Sequence, residues 1–197
     1  EVIFSIRKFF KDKKLIDVCA APGGKSILLH SLGFNVLAID KYQNEINKFE
    51  ENLSRLNIEI NIQKIDFLKK KFTDKFNSIL LDAPCSALGT FRRNPDVTVK
   101  IDPSQIKKHQ KTQIQMLEKS LKILNNGGFL VYIVCSFHPF ETIDVIDKII
   151  QKHKNVKIHS IETDKMIKRQ NGYFINPLSF KDIGGSDIFF VSVIEKI

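Results

Sequence analysis

DVCAAPGGKS (residues 17–26) joins a short apolar run, LIDV (residues 15–18), to residues 25–32, which read as a helix stopped by Gly33. A strand that turns through small residues straight into a helix is the arrangement of the nucleotide-binding loop in doubly wound α/β folds. Ala20, Ala21, Gly23 and Gly24 leave room for a ligand to approach the backbone, and amides at the helix start would face it. The loop is neither G-x-G-x-x-G nor a Walker A sequence, which argues against a phosphate cradle. A tight strand–helix turn without a ligand is the competing reading of these ten residues alone.

Outward from this loop, strands alternate with helical segments. VLAID (residues 36–40) is a second strand. Residues 45–56 place Ile46, Phe49, Leu53 and Leu56 at helical spacing. Residues 58–65 alternate apolar and polar as a third strand, and residues 77–82 form a fourth. A long helix over 103–124 carries Ile114, Leu117, Leu121 and Leu124 on one face, and Asn125-Asn126-Gly127-Gly128 ends it in a turn. Residues 129–134 are the fifth strand, and residues 142–153 another helix with Pro139 near its first turn. Residues 156–161 and 189–194 are the last strands, and residues 162–187 read as irregular. No repeat or linker divides the 197 residues, so the sequence predicts one α/β domain over 1–197.

Residues that carry chemistry collect at the carboxyl ends of these strands, where open sheets bind ligands. Asp40 ends the second strand, Asp66 the third and Asp82 the fourth. A carboxylate at Asp40 suits two ribose hydroxyls, and one at Asp66 an adenine amino group. Singly, each is as well a turn or cap aspartate. Three at successive strand ends after such a loop point to a nucleoside ligand. Cys85 ends the run ILLDAPCS (residues 79–86) and Cys135 the run FLVYIVCS (residues 129–136). Two thiols delivered to a cofactor edge point to covalent chemistry, since a thiolate is a strong nucleophile.

The three cysteines, Cys19, Cys85 and Cys135, are too few and too odd in number for a disulfide framework. No ligand-spaced Cys/His cluster suggests zinc, so no metal is expected. Nothing approaches the ~20 apolar residues of a membrane helix, and no signal peptide is visible, so a cytoplasmic protein without a membrane partner is expected. The 31 Lys and Arg against 22 Asp and Glu give +9. That balance favours a polyanion such as nucleic acid, or reflects a lysine-rich compositional bias. Lys69, Lys70 and Lys71 read as a solvated surface run.

Together DVCAAPGGKS, DAPCSALGTFRRNPD (residues 82–96) and YIVCSFHPFE (residues 132–141) resemble the RNA cytosine-C5 methyltransferases of the RsmB/Sun type, over residues 15–194. The resemblance implies a Rossmann-like class I S-adenosylmethionine-dependent methyltransferase. Its sheet would be seven-stranded and mostly parallel, with one antiparallel strand near an edge and helices on both faces. It implies that Cys19, Ala20, Ala21, Pro22, Gly23, Gly24 and Lys25 wrap S-adenosylmethionine. Asp40 would hold the ribose, Asp66 the adenine, and Asp82 would lie near the methyl group and the target base. Cys135 is implied as the nucleophile at cytosine C6, and Cys85 as the thiol that assists adduct breakdown and product release. The implied substrate is RNA, specifically small-subunit ribosomal RNA.

Further expectations follow from that chemistry. Asp82 would share a proton at cytosine N3, and the helix after Pro139 would point its N-terminus at Cys135 and lower its pKa. The target base must leave its stack. Phe91, Arg92, Arg93 and Asn94 would then contact the displaced nucleotide or flanking phosphates, unless they are only a solvated basic loop. Cys19 would pack beside the cofactor, and His138 would be a helix-entry residue. Phe140 stands where the family often has a glutamate, with Glu141 keeping the next one, and Ile188 stands where a glycine often precedes two aromatics. The chain begins at Glu1, and the family usually carries an upstream segment and an RNA-binding domain. The expectation is therefore a catalytic domain lacking both. Two alternatives remain: an inactive RNA-binding or ribosome-assembly factor of the same fold, and a DNA cytosine-C5 methyltransferase using Cys85 after Pro84. The second leaves the other Cys-Ser strand end unexplained.

Overall fold

The computed structural model describes residues 1–197, with Ile183 described by its backbone alone. Strand β1 (Lys14–Val18) alternates its side chains between two cores. Leu15 joins Leu29, Phe49 and Leu80 on one face of the sheet, while Ile16 and Val18 join Ile79, Leu81, Leu117 and Leu130 on the other. The same period of two divides β4 (Phe76–Asp82) and β5 (Leu124–Val134), since successive strand side chains point to opposite faces. A sheet buried on both faces needs helices on both, and that requirement gives the doubly wound layer order. Burying one Leu or Ile side chain contributes about 1.5–3 kcal/mol, so the two cores dominate the stability.

Helices α1 (Val2–Ile6), α2 (Gly24–Ser31) and α3 (Gln43–Leu56) supply the first core. The short α4 (Val97–Lys100) buries nothing, whereas α5 (Pro103–Ile123) and α6 (Ile143–Lys152) cover the second. From β1 the chain steps through β2 (Asn35–Asp40) to β3 (Asn61–Lys64) on one side, all parallel. It then returns to place β4 and β5 on the other side of β1, also parallel. Strand order therefore reverses between β1 and β4, which opens a crevice at their carboxyl ends.

The remaining strands are β6 (Val156–His159), β7 (Ile167–Arg169), β8 (Gly172–Ile175) and β9 (Phe189–Lys196). The sheet order is β3-β2-β1-β4-β5-β9-β8-β7, with β6 also on β9. This is the expected fold class, but with nine strands rather than seven and an antiparallel group rather than one antiparallel strand. The extra pair is a hairpin within residues 162–187, which the sequence reading leaves irregular. Every β7 side chain is exposed, so no alternation marks it. The third strand is shorter than expected because only four residues pair with β2, although Ile60 just before it is buried. The Asn-Asn-Gly-Gly turn is an interruption in the β4–β5 ladder, where Leu124 pairs with Phe76 and the next pair is Phe129 with Ser78. Among the described residues no helix is long and apolar enough to cross a membrane.

Asp17 is fully buried in β1 and accepts a hydrogen bond from the Ser26 hydroxyl at 2.5 Å. Burial pushes its carboxyl up to about 7; Ser26 and Lys25 oppose the shift, and the charges of Asp82 and Asp40 add to it. A carboxyl raised this way binds more protons folded than unfolded. Its stabilising contribution is complete below its ordinary value of 3.8 and is lost as pH rises through about 7. Asp17→Asn should therefore gain on the wild type by up to about 1.4 kcal/mol per pH unit across that window, read from urea unfolding at a series of pH values. A constant difference would refute the buried carboxyl.

Candidate active site

The site forms where five chain segments, those after β1 to β5, leave the carboxyl edge of the sheet. After β1, Cys19 takes a left-handed φ of 62° and Gly23 one of 103° before α2 begins. A side chain on Gly23 would overlap the Phe49 ring, so α3 packing explains its smallness, whereas a Cβ on Gly24 would meet nothing within 4 Å. At the end of β2, Asp40 is held by two backbone amides: Ala21 N donates to Oδ2 at 3.2 Å and Tyr42 N to Oδ1 at 3.1 Å. A carboxylate has about four acceptor positions, so two remain for hydroxyls. After β3, Asp66 accepts from Leu68 N and pairs with Lys41 at 3.3 Å.

These residues border a cavity of about 350 Å³. Cys19, Ala21 and Asp40 line one wall, Ile65, Asp66, Phe67 and Leu68 another, and Asp82, Pro84, Cys85 and Cys135 its inner end. Two carboxylates, Asp40 and Asp66, with apolar lining residues beside them suit an adenosyl group, and the volume is that of a small-molecule site. Of the expected loop residues, Cys19 and Ala21 line the cavity; Ala20 is buried in the first core. Burial, with four nearby carboxylates, pushes the Cys19 thiol far up, which fits a packing role.

Lys25 turns to the inner end. Its Nζ donates to Asp82 Oδ2 at 2.6 Å and lies 5.5 Å from the Phe189 ring centroid. Burial disfavours its charge, but Asp82 overcomes this and raises its pKa. Asp82 thus accepts from an ammonium, and the free donor capacity at this spot belongs to Lys25.

Cys85 and Cys135 meet with sulfurs 3.4 Å apart. The shared hydrogen bond and burial push Cys85 well above the usual thiol value. The same bond pulls Cys135 below its usual value; burial and Asp82 resist, and Lys25 assists. Cys135 is the more readily ionised of the two sulfurs, and either can donate when both are protonated. The depression of Cys135 comes from Cys85 and Lys25; a three-residue turn, Pro139–Glu141, separates it from α6.

Gly89 explains part of the DAPCSALGT run. Its N–H donates to the Cys135 carbonyl at 2.9 Å, and its carbonyl accepts from Ile188 N at 2.9 Å. A Cβ there would overlap the Ile188 carbonyl oxygen and press on the Cys135 carbonyl at 3.0 Å. In the basic loop, Phe91 is exposed and packs edge-on against Phe137 at 6.3 Å between centroids, and Arg92 is exposed. Arg93 is committed to Asp187 at 2.6 Å and Asn94 to Thr90 at 3.3 Å. Glu141, legible in the sequence as a glutamate the family keeps but without a role, is buried and receives hydrogen bonds from both Ser86 and Ser136. Its signal was the serine after each cysteine.

Fold and cavity together define a methyltransferase of the Rossmann-like, S-adenosylmethionine-dependent class. A sequence profile described as 16S rRNA methyltransferase RsmB/F matches residues 7–194, and the chain belongs to that family. It is 32% identical over 189 residues to ribosomal RNA small subunit methyltransferase B of Photorhabdus laumondii, covering 93% of this chain and 42% of that protein. A probable methyltransferase of the same name from Coxiella burnetii is 33% identical over 164 residues, covering 77% and 37%. The chain thus spans about two-fifths of the length of these relatives. Among solved structures, NSun6 from Pyrococcus horikoshii with SFG superposes with a TM-score of 0.81 at 27% identity, covering 98% of this chain and 50% of that one.

Gly89→Ala should lower the unfolding free energy by about 1–3 kcal/mol, because its neighbours are backbone and cannot rotate away. Gly24→Ala should leave stability within about 0.5 kcal/mol yet weaken S-adenosylmethionine binding, as measured by calorimetry. Unchanged cofactor affinity in Gly24→Ala would argue against close ligand approach at that backbone.

Proposed function

We propose that this chain methylates C5 of a cytosine in RNA, within small-subunit ribosomal RNA, through a transient bond from Cys135 to the base. The observation that carries this reading is the thiol pair, 3.4 Å apart, at the inner end of the cavity that Asp40 and Asp66 border. The family match and the named relatives support ribosomal RNA as substrate.

Cytosine C5 is a poor nucleophile. Attack of the Cys135 thiolate on C6 forms an S–C6 bond and moves the ring electrons toward C5, splitting one hard step into easier ones. S-adenosylmethionine, when bound, supplies an electrophilic methyl group for that carbon. Negative charge that develops on the ring is met by Lys25, whose ammonium is oriented by Asp82. Product release requires transfer of the C5 proton to a water molecule acting as base; the C–H electron pair re-forms C5=C6 as the S–C6 bond breaks and its pair returns to Cys135. Cys85 aids that departure by donating its S–H to the leaving sulfur, the direction its raised pKa supports. The base must be unstacked to reach Cys135. Phe91 and Arg92 are the members of the basic loop free to contact a neighbouring nucleotide.

Incubation with a small-subunit ribosomal RNA transcript containing 5-fluorocytidine should trap a covalent complex, visible on a denaturing gel. Cys135→Ser should abolish it and lower methyl transfer by at least about 10³-fold. Cys85→Ser should accumulate the complex even on ordinary RNA. Trapping by Cys135→Ser but not by Cys85→Ser would reassign the nucleophile and defeat the proposal.

A further inference from the structure

Glu141 is fully buried, and among the described residues it has no ion-pair partner. Its carboxylate is met by hydrogen-bond donors from two distant turns. Oε1 accepts from Ser86 N at 2.8 Å, and Oε2 accepts from the Ser86 hydroxyl at 2.5 Å and the Ser136 hydroxyl at 2.6 Å. Its own carbonyl accepts from the Tyr132 hydroxyl at 2.7 Å, which ties it to β5. Ser86 and Ser136 each follow a cysteine of the thiol pair. Past Asp82 opposite Ile133, two backbone bonds join the segments, Ala83 N to the Ile133 carbonyl and Gly89 N to the Cys135 carbonyl, both at 2.9 Å, and Glu141 supplies the side-chain link between Ser86 and Ser136.

We infer that Glu141 is a positioning residue that clamps the two Cys-Ser turns together and so fixes the contact between the Cys85 and Cys135 sulfurs. A buried carboxylate without a cation is costly unless hydrogen bonds compensate it. Three of its about four acceptor positions are filled here, and only when both turns are in place, which makes the carboxylate a sensor of their spacing. Released from it, the turns keep the Gly89–Cys135 backbone bond but lose the link at Ser86 and Ser136, and the sulfur–sulfur hydrogen bond lengthens. Cys135 then loses the donor that favours its thiolate. The conclusion goes beyond the proposed reaction, since it concerns a thiol pair that exists without cofactor or RNA.

The test is the pH profile of iodoacetamide alkylation at Cys135, followed by peptide mass spectrometry and normalised to the total peptide, with alkylation at the unreactive Cys19 reporting unfolding. Glu141→Gln cannot accept from all three donors. It should slow alkylation at pH 7 about three- to tenfold and move the profile upward, as expected when the thiolate fraction falls. Glu141→Asp should recover part of the rate. If Glu141→Gln fails to fold, judged by circular dichroism, the double substitution of Ser86→Ala with Ser136→Ala removes the clamp from its other side and should shift the profile equally. A folded Glu141→Gln, or a folded double alanine variant, with the wild-type profile would overturn the inference. Methyl transfer is no part of this readout, so failure of the proposed reaction and failure of the clamp are seen separately.

Discussion

Parallel pairing of β4 with β5 is the constraint on which the site depends. It aligns Asp82 with Ile133 and sends two Cys-Ser turns, fifty residues apart in the chain, off the same edge side by side. A parallel pair cannot be closed by a tight turn and needs a long crossover. Here the crossover is α4 and α5, and α5 packs back on the second core through Met116, Leu117 and Leu121. Its Gln113 also donates to the Pro84 carbonyl at 3.0 Å, so the helix that makes the crossover steadies one of the turns it connects.

The electrostatics of the edge are built from carboxylates with few cations. Asp17, Asp40, Asp66 and Asp82 lie in or just beyond the four strands around the crevice, and Lys25 and Lys41 are the lysines paired with them. Such a field raises thiol pKa values in general, as at Cys19. Cys135 escapes because a hydrogen bond and one ammonium act at short range against more diffuse repulsion. The nucleophile's character is thus a local property.

Much of the architecture was legible because its signals are periodic. The apolar runs of β1, β4 and β5 and the helical spacing in α3 and α5 follow from burial on known faces, and the carboxylates ending the first parallel strands could be read off strand ends. The hairpin of β7 and β8 was not legible, since β7 packs no side chain. Lys25 was read with the cofactor loop, but its partner Asp82 lies 57 residues away. Arg93 and Asn94 were legible only as RNA-contact candidates or a solvated loop, and their partners Asp187 and Thr90 were not visible in the sequence. Glu141 was visible as a retained motif glutamate, but its serine partners were not.

Alone, the amino-acid order determined which residues are buried, where strands turn into helices, and that two thiols and several carboxylates leave the same edge. These follow from local spacing, which hydrophobic burial converts into elements. Folding in three dimensions decided that the two sulfurs meet, which carboxylate Lys25 meets, and that one glutamate receives both serines. Those outcomes turn on separations of a few ångströms between segments remote in the chain. Hydrogen bonds and ion pairs are steep functions of such distances, and no one-dimensional pattern encodes them.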